Sequence, residues 1–316
     1  MPSIEILGLE KMFATGFVRK RKKQALKPLY LTTEENEVFG FLGPNGAGKT
    51  TTLKLLMGLI FPDAGQARIL GMDWRDPRVR SQIGFLPEQP YFYDYLTATE
   101  LLNYYAALSG VPTKERDRRV SQMLGRVGLA DSARMQLRKY SKGMLQRVGI
   151  AQAILHNPKI VFLDEPTSGL DPMGRREVRD LIQELKDEGK TVFFSTHILP
   201  DAEALCDRVG VIHQGELRGV GVVAELVHRS AASRETEIIW NGTQAVSAVS
   251  ALGAKCRASG ETVRATLPAC DLDAALDHIR RHQGKILSVT PVRATLEDFF
   301  FEKLGKPNHS TAEVAQ

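Results

Sequence analysis

One stretch of the sequence indicates the fold, and it reads Val38-Phe39-Gly40-Phe41-Leu42-Gly43-Pro44-Asn45-Gly46-Ala47-Gly48-Lys49-Thr50-Thr51. Its beginning, Val38–Leu42, has the apolar composition of a buried strand. The glycine-rich part that follows fits the pattern G-x-x-x-x-G-K-T, and leucines at helical spacing come directly after it. A strand, a glycine loop and a helix in this order are the context in which such a loop holds phosphate. An ordinary glycine-rich turn would not require the lysine and the threonine, so we predict a phosphate-binding loop.

The chemistry of this loop follows from its residue types. Glycines allow successive backbone N–H groups to point at one anion, and the helix that begins there adds the positive end of its dipole. Lys49 supplies a charge for the β and γ phosphates of a nucleotide, and Thr50 offers a hydroxyl to Mg²⁺. We therefore predict ATP and Mg²⁺ as cofactors and a nucleotide-binding set of Gly43, Pro44, Asn45, Gly46, Ala47, Gly48, Lys49, Thr50 and Thr51.

Two acidic residues follow a second apolar run. Residues 160–163 are continuously apolar, which is typical of a strand buried on both faces of a parallel sheet, and Asp164 and Glu165 come directly after them. Ligands of parallel α/β sheets bind beyond the carboxyl ends of the strands. We predict Asp164 as a Mg²⁺ ligand and Glu165 as the general base for a water that attacks the γ phosphate. The alternative is a plain acidic turn, which the neighbouring phosphate loop makes the weaker interpretation.

The order of elements predicts two domains in this chain of 316 residues. Residues 1–230 read as an α/β domain, in which residues 160–194 form a strand–helix–strand crossover. Residues of about 90–145 are helical in pattern and predict a helical insertion. Residues 235–305 predict a small α+β accessory domain with the β-α-β-β-α-β order of ferredoxin-like folds. The polar tail, residues 306–316, is expected to be disordered.

Composition excludes several classes of protein. There are 42 lysines and arginines against 37 aspartates and glutamates, a net charge of +5, which is too small for an electrostatic footprint on duplex nucleic acid. The longest apolar run, residues 55–61, is far shorter than the ~20 residues of a membrane-spanning helix. The N-terminal residues do not have the pattern of a secretory signal. The three cysteines fit no metal-binding pattern and predict reduced thiols in the cytosol.

A further motif precedes the acidic strand, and it reads Lys139-Tyr140-Ser141-Lys142-Gly143-Met144-Leu145-Gln146-Arg147. Ser141 can cap a helix whose free N–H groups and positive dipole end would suit a phosphate. Taken alone, the segment could equally be an ordinary capped core helix. It resembles the L-S-G-G-Q signature of ABC-type ATPases, in which its serine and second glycine match and the other three positions differ. The resemblance implies that Ser141 and Gly143 contact the γ phosphate of a nucleotide.

Three more segments are similar to the same family, in the same order along the chain. Gln89 resembles the glutamine that reaches Mg²⁺ and the attacking water, and Asp171 resembles the key residue of the family's dimer-contacting loop. His197 resembles the histidine that bonds the γ phosphate. The resemblance therefore implies the catalytic residues Glu165, His197 and Gln89, the nucleotide contacts Ser141, Gly143 and Asp171, and the metal ligands Thr50, Gln89 and Asp164.

The aromatic residue that stacks on adenine is less sharply defined. The family places it upstream of the phosphate loop, where Phe13 is our choice and Phe17 the other candidate. Either phenylalanine could instead belong to the hydrophobic core.

What the resemblance implies is an α/β phosphate-loop ATPase domain that serves as the ATP-binding subunit of an ABC transporter. Because no spanning helix is predicted, the transmembrane permease would be a separate chain, which holds this subunit at the cytoplasmic face of the membrane. Two copies would pair head to tail as a homodimer and enclose two ATP molecules. The closing segment, residues 295–300, and the basic insertion near the N-terminus resemble the multidrug, polysaccharide and lipid export branch, which implies export.

Two other functions fit the motifs of the sequence less well. ABC ATPases of DNA repair carry a long coiled coil between the phosphate loop and the signature, and those of translation carry two cassettes, whereas this chain has neither pattern. A kinase with a phosphate loop would not explain Ser141, Gly143, Asp171 and His197 together. The aromatic cluster Tyr91, Phe92, Tyr93, Tyr95, Tyr104 and Tyr105 remains open between a surface that docks a helix of the permease and the core of the helical insertion.

Overall fold

The computed structural model describes residues 2–15, 21–229, 235–292 and 296–304. Phe17, part of the basic insertion, Thr295 in the closing segment and the tail 306–316 lie outside the described residues. The chain divides into two compact units, of which the first extends to Val223 and the second begins at Ala224.

The first unit contains two sheets and a set of helices. Its strands are β1 (Pro2–Thr15), β2 (Arg21–Glu34), β3 (Val38–Leu42), β4 (Ala64–Ile69), β5 (Met72–Asp73), β6 (Ile83–Leu86), β7 (Ile160–Asp164), β8 (Thr191–Thr196), β9 (Arg208–His213) and β10 (Glu216–Val222). Its helices are α1 (Lys49–Leu56), α2 (Pro77–Arg80), α3 (Ala98–Leu108), α4 (Thr113–Arg126), α5 (Lys142–Ile154), α6 (Pro172–Asp187) and α7 (Leu199–Leu205), and α8 (Val223–Arg229) follows at the boundary.

A six-stranded sheet with the order β10-β9-β3-β8-β7-β6 carries the predicted motifs. The strands from β9 to β6 are parallel, and β10 runs antiparallel to β9. Every residue of β3, β7 and β8 is buried, which explains why these strands read as continuous apolar runs rather than alternating ones. Phe39 and Phe193 stack across neighbouring strands with ring centroids 5.2 Å apart. The parallel arrangement brings the carboxyl ends of β3, β8 and β7 to one edge.

The second sheet is antiparallel, with the order β2-β1-β4-β5. Apolar residues from β1, β2 and β4 form one core with α1 and with one face of the six-stranded sheet. The long hairpin of β1 and β2 pairs Phe13 with Lys23 near the end at which β1 passes into β2. The carbonyl oxygen of Ala25 in β2 packs against Gly48, so this hairpin lies beside the phosphate loop.

Helices occupy the region between β6 and β7, as the sequence predicts. Thr97 caps α3 with its hydroxyl on the Glu100 N–H, and the Glu100 carboxylate accepts from the Thr97 N–H, which together form a capping box. Tyr91, Tyr93, Tyr95 and Tyr104 are between 45% and 89% exposed. For these four tyrosines, packing into the core of the insertion is therefore wrong, and the ring of Tyr93 contacts the rings of Tyr95 and Tyr104 at the surface.

The second unit has the predicted ferredoxin-like order. It contains β11 (Glu235–Asn241), α9 (Val246–Ser250), β12 (Lys255–Ser259), β13 (Thr262–Pro268), α10 (Leu272–Arg281) and β14 (Lys285–Pro291), and α11 (Leu296–Leu304) follows. The strands form an antiparallel sheet of order β12-β13-β11-β14. Its inward residues, among them Ile238, Trp240 and Val263, pack with Val249 of α9 and Ile279 of α10. Alternation of buried and exposed residues along β11 and β13 leaves one face covered by helices.

Two glycines of the first unit test the packing of its helices, because we expect their replacement by alanine to change the free energy of unfolding in opposite directions. A Cβ at Gly84 of β6 would collide with the carbonyl oxygen of Ala153 in α5, whereas a Cβ at Gly125 of α4 meets nothing within 4 Å. We expect Gly84→Ala to lower the free energy of unfolding by about 3 kcal/mol, because backbone cannot move aside as a side chain can. Gly125→Ala should raise it by about 0.5–1 kcal/mol through helix propensity. Urea denaturation followed by circular dichroism measures both, and equal effects would contradict the packing of β6 on α5.

Candidate nucleotide-binding and catalytic site

The register of the parallel sheet places three predicted segments side by side. Leu42, which precedes the phosphate loop, is level with Thr196 of β8, and Asp164 of β7 is level with Ser195 of β8. The phosphate loop, the acidic pair and His197 therefore leave neighbouring strands at the same edge. This is the edge at which ligands of parallel α/β sheets bind.

The phosphate loop has a backbone that only glycine can follow at one point. Gly48 has φ +114°, and a Cβ there would lie 2.8 Å from the carbonyl oxygen of Ala25 in β2. The Lys49 ammonium is directed back over the loop, where it donates to the Gly43 carbonyl oxygen at 2.7 Å and the Pro44 carbonyl oxygen at 3.3 Å. Only 5% of Lys49 is exposed. The lysine is therefore held inside the curl of the loop, facing the sheet edge.

Glu165 contacts the phosphate loop directly. Its Oε1 lies 3.0 Å from Nζ of Lys49, and its Oε2 lies 2.8 Å from Nδ1 of His197. The backbone of Glu165 has φ +51°, a strained value for a residue with a side chain, and its N–H donates to Ser195. The carboxylate of the predicted base thus bridges the predicted phosphate-binding lysine and the predicted γ-phosphate histidine.

Asp164 is buried and only half satisfied. Its Oδ1 accepts a hydrogen bond from the Ser195 hydroxyl at 2.5 Å, whereas its Oδ2 is buried without a hydrogen-bond partner. Burial raises the pKa of Asp164 above its ordinary value, the Ser195 hydrogen bond and the nearby Thr50 hydroxyl lower it, and the Glu88 and Glu165 carboxylates raise it again. An unsatisfied carboxylate oxygen beside the Thr50 hydroxyl is the oxygen donor set that a hard divalent cation prefers. The residues present therefore fit Mg²⁺.

A cavity of about 700 Å³ opens beside this edge. Phe13 lies in its wall with 39% of its surface exposed, so Phe13 does not belong to the core, and the Lys11 ammonium is 5.6 Å from its ring centroid. Predicted residues that line the cavity are Phe13, Asn45, Gly46, Gly48, Lys49, Thr50, Thr51 and Glu165. Gly43, Pro44 and Ala47 shape the loop instead, through their backbone oxygens.

Six lining residues were missed by the sequence reasoning: Lys23, Gln24, Ala25, Glu88, Gln214 and Gly215. Glu88 is adjacent to the predicted Gln89, and this adjacency was the one available signal. Gln89 itself is exposed, and its Oε1 accepts from the Tyr91 hydroxyl at 3.2 Å, so its metal-binding role stays a prediction. The Gln214–Gly215 turn belongs to no motif and carries no signal in the sequence.

The structure does not bring the signature residues to this cavity. Ser141 caps α5, as predicted, with its Oγ accepting from the Met144 N–H at 3.2 Å. Asp171 caps α6, with its Oδ1 accepting from the Gly174 N–H at 2.8 Å. Both caps are exposed, and a Cβ at Gly143 would meet Leu170 only at 3.8 Å. Two helix N-termini therefore present open N–H groups away from the lysine of their own chain.

Comparison with known proteins identifies the family. A protein-family model described as ABC transporter matches residues 26–168 of this chain. An uncharacterized ABC transporter ATP-binding protein of Synechocystis sp. is 40% identical over 314 residues, which are 98% of this chain and 87% of that relative. This chain belongs to the ABC transporter family of ATP-binding proteins. The linearmycin resistance ATP-binding protein of Bacillus subtilis is 30% identical over 296 residues, 90% of this chain and 95% of that protein.

Solved structures agree with this assignment. A dimeric ATP-binding cassette in a post-hydrolysis state, with ADP and phosphate bound, superposes with a TM-score of 0.64 at 27% identity, over 70% of this chain and 98% of that one. The predicted α/β fold class, the ABC ATPase identity and ATP hydrolysis as the family's activity are thereby confirmed. Among the residues that the structure describes, none of the helices has the length and apolar character needed to span a bilayer.

The buried carboxyl of Asp164 generates a prediction with two readouts. Asp164→Asn keeps an acceptor for the Ser195 hydroxyl but removes the desolvated charge. Because the pKa of Asp164 is raised in the folded protein, ionisation of the wild type costs folding free energy increasingly as the pH rises above about 4. The nucleotide-free variant should therefore unfold at higher urea concentration than the wild type at pH 7, with a difference that shrinks towards pH 4. It should also lose the gain in ATP affinity that Mg²⁺ gives the wild type.

The control for this experiment is Asp76→Asn. Asp76 is a partly buried cap of α2 whose pKa is lowered by the hydrogen bonds from Arg78, so its replacement should bring no stability at pH 7. An Asp164→Asn variant that is less stable than the wild type at pH 7 and equally responsive to Mg²⁺ would contradict both inferences.

Proposed function

We propose that this protein is the Mg²⁺-dependent ATPase of an export-type ABC transporter, and that it works as a head-to-tail homodimer on a separate permease at the cytoplasmic face of the membrane. The observation that carries the proposal is the division of the site. The phosphate loop and Glu165 line one cavity and Asp164 lies buried at the same sheet edge, whereas the caps Ser141 and Asp171 open elsewhere on the same chain. A second copy can supply what the first cavity lacks.

In this proposal ATP lies along the cavity. Its adenine stacks on Phe13, and its triphosphate lies on the backbone N–H groups of the phosphate loop at the start of α1. The γ phosphate takes the place of Glu165 beside Lys49, because both are anions that seek the same buried ammonium. Thr50, Asp164 and Gln89 would hold Mg²⁺, which supplies charge neutralisation for the β and γ phosphates.

Hydrolysis follows from the displacement of Glu165. Freed from Lys49, its carboxylate can accept the proton of a water in line with the γ phosphate. His197 stays within reach of both the carboxylate and the phosphate, since its side chain is 43% exposed at the sheet edge while Nδ1 contacts Glu165. It would orient the water and hold the γ phosphate while the water oxygen bonds to the γ phosphorus and the bond to the leaving ADP breaks, so that Glu165 and His197 act as one unit.

The signature helix would act on the partner's nucleotide. The first turn of α5 contains no acidic residue, so its N–H groups and dipole are available to an anion. A twofold arrangement gives each copy's Ser141 and Gly143 to the other copy's γ phosphate, with Asp171 at the contact between copies. ATP then lies between the copies and stabilises the closed dimer, and hydrolysis of ATP allows the dimer to open.

Direction and partner rest on the relatives and on one surface. Three relatives are named as a bacitracin transport protein of Bacillus licheniformis, the linearmycin resistance protein of Bacillus subtilis and a fluoroquinolone export protein of Mycobacterium tuberculosis, and these names support export. The exposed tyrosines Tyr91, Tyr93, Tyr95 and Tyr104 form the surface that we assign to the permease. Residues 1–230 would be the ATPase domain and residues 235–305 an accessory domain.

Replacing Glu165 tests the base. Glu165→Gln keeps the size of the side chain but removes the proton acceptor, so turnover should fall about 10²–10⁴-fold while ATP still binds. Lys49→Ala is the contrasting variant, because it removes the phosphate's charge partner and should abolish binding itself. Turnover assays and titration with a fluorescent ATP analogue separate the two effects. Near-normal turnover of Glu165→Gln would show that another group is the base.

Ser141 tests the trans arrangement. Ser141→Arg puts a bulky cation at the start of α5, where it would block the partner's γ phosphate but not the cavity of its own chain. We expect hydrolysis to be abolished while the isolated monomer binds ATP with an affinity within about threefold of the wild type, a difference of at most ~0.7 kcal/mol. If ATP affinity of this monomer collapses as it does for Lys49→Ala, the segment acts in cis and the head-to-tail dimer is wrong.

A further inference from the structure

The turn between β9 and β10 lies at the nucleotide cavity although no motif contains it. It follows the carboxyl end of β9, the strand next to β3, and Gln214 and Gly215 line the cavity. Both residues have left-handed backbone, with φ +49° at Gln214 and φ +75° at Gly215. A tight turn of this geometry is rigid, and it reaches the same sheet edge as the phosphate loop.

Two backbone hydrogen bonds of one residue link the turn to both walls of the cavity. The Gly215 N–H donates to the carbonyl oxygen of Ala47 in the phosphate loop at 2.8 Å. The Gly215 carbonyl oxygen accepts from the Lys27 N–H of β2 at 2.8 Å. Beside them, the Lys27 ammonium pairs with Glu216 of β10 at 2.7 Å. Gly215 therefore bridges the phosphate loop and β2.

The bridge is packed so closely that it requires glycine. A Cβ at Gly215 would lie 2.8 Å from the Ala25 carbonyl oxygen and 3.2 Å from the Cα of Leu26. A Cβ at Gly48, from the opposite side, would also lie 2.8 Å from the Ala25 carbonyl oxygen. The Ala25 carbonyl is thus enclosed between two glycines, and the three atoms nearest to a Cβ at Gly215 all belong to backbone, which cannot rotate away.

The strand held by this bridge carries the far wall of the cavity. Lys23, Gln24 and Ala25 of β2 line it, and Phe13 is the cross-strand partner of Lys23. A nucleotide has a fixed length between base and triphosphate, so its two ends bind together only if the two walls keep the right separation. Glu165 and His197 follow β7 and β8, on the other side of β3 in the sheet order.

We propose that the Gln214–Gly215 turn is a positioning element that sets the separation between the phosphate loop and the base-side strand β2, and so controls ATP affinity without a part in the chemical step. This rests on the proposed function, in which ATP spans the cavity from Phe13 to Lys49. The turn acts through Ala47 and β2, and no contact of its own with ATP is needed.

The test compares two glycine-to-alanine variants of equal backbone strain. Gly215→Ala places a Cβ against Ala25, whereas Gly71→Ala, in the β4–β5 turn at φ +74°, meets nothing within 4 Å. We expect KM for ATP to rise about tenfold in Gly215→Ala with kcat within twofold of the wild type. KM in Gly71→Ala should stay unchanged. Unchanged KM in Gly215→Ala, or a fall in kcat as large as the rise in KM, would overturn the proposal.

A binding experiment separates the two walls. Inorganic tripolyphosphate contacts the phosphate loop alone, so Gly215→Ala should bind it, by calorimetry, within about twofold of the wild type while its ATP affinity falls about tenfold. Equal weakening of both ligands would mean that the phosphate loop itself is damaged and the positioning role is wrong. If the wild type binds ATP but does not hydrolyse it, the proposed function fails, and this binding comparison still decides the inference.

A milder variant covers the case in which Gly215→Ala does not fold. Glu216→Gln removes the ion pairs with Lys27 and Arg218 and leaves the glycine packing intact. Its KM for ATP should be about twofold above the wild-type value at low salt, and the two KM values should converge at high salt, where the ion pairs of the wild type are screened. Identical KM values for Glu216→Gln and the wild type at low salt would count against the bridge.

Discussion

A buried ion pair between Lys49 and Glu165 joins the two halves of this site across 3.0 Å. Neither side chain is more than 6% exposed, and a buried charge without its partner is strongly destabilising. Each side chain therefore holds the other: the lysine keeps the Glu165 carboxylate at the phosphate loop, and Glu165 helps to keep the ammonium in the curl of the loop. An incoming triphosphate has to displace the Glu165 carboxylate from Lys49, because both anions bind the same ammonium. This displacement would release the carboxylate that hydrolysis of the triphosphate requires.

This pair depends on the parallel sheet. Lys49 begins the helix after β3, and Glu165 follows β7, with β8 hydrogen-bonded between the two strands. Ser195 of β8 completes the connection, since its hydroxyl donates to Asp164 and its carbonyl oxygen and hydroxyl both accept from the Glu165 N–H. The register of three strands thereby sets the distances between loop, carboxylates and His197. A slip of one residue would turn the Asp164 side chain to the other face of the sheet.

The same chain carries chemistry that its own cavity does not use. Ser141 and Asp171 cap two helices whose N-termini are exposed, and the rings of Tyr93, Tyr95 and Tyr104 contact one another at the surface. Exposed caps and aromatic surfaces of this kind are typical of interfaces. In the proposed function the caps contact the second copy and the tyrosines contact the permease, so that ATP binding in one cavity is coupled to both partners. The protein thus divides its contacts between a self-contained phosphate site and surfaces that need partners.

Local sequence patterns were sufficient to predict the features that depend on neighbours along the chain. The G-x-x-x-x-G-K-T stretch, the acids after residues 160–163 and the Ser141 cap were predictable, because loops, strand ends and helix caps use specific residue types at short spacing. The alternation in the second unit predicted its β-α-β-β-α-β order in the same way. Tertiary structure alone decided that Glu165 pairs with both Lys49 and His197, that Phe13 faces the cavity, and that four tyrosines are exposed. It alone brought the Gln214–Gly215 turn against Ala47 and Ala25, since contact between distant segments is set by sheet order and packing, which leave no local pattern in the sequence.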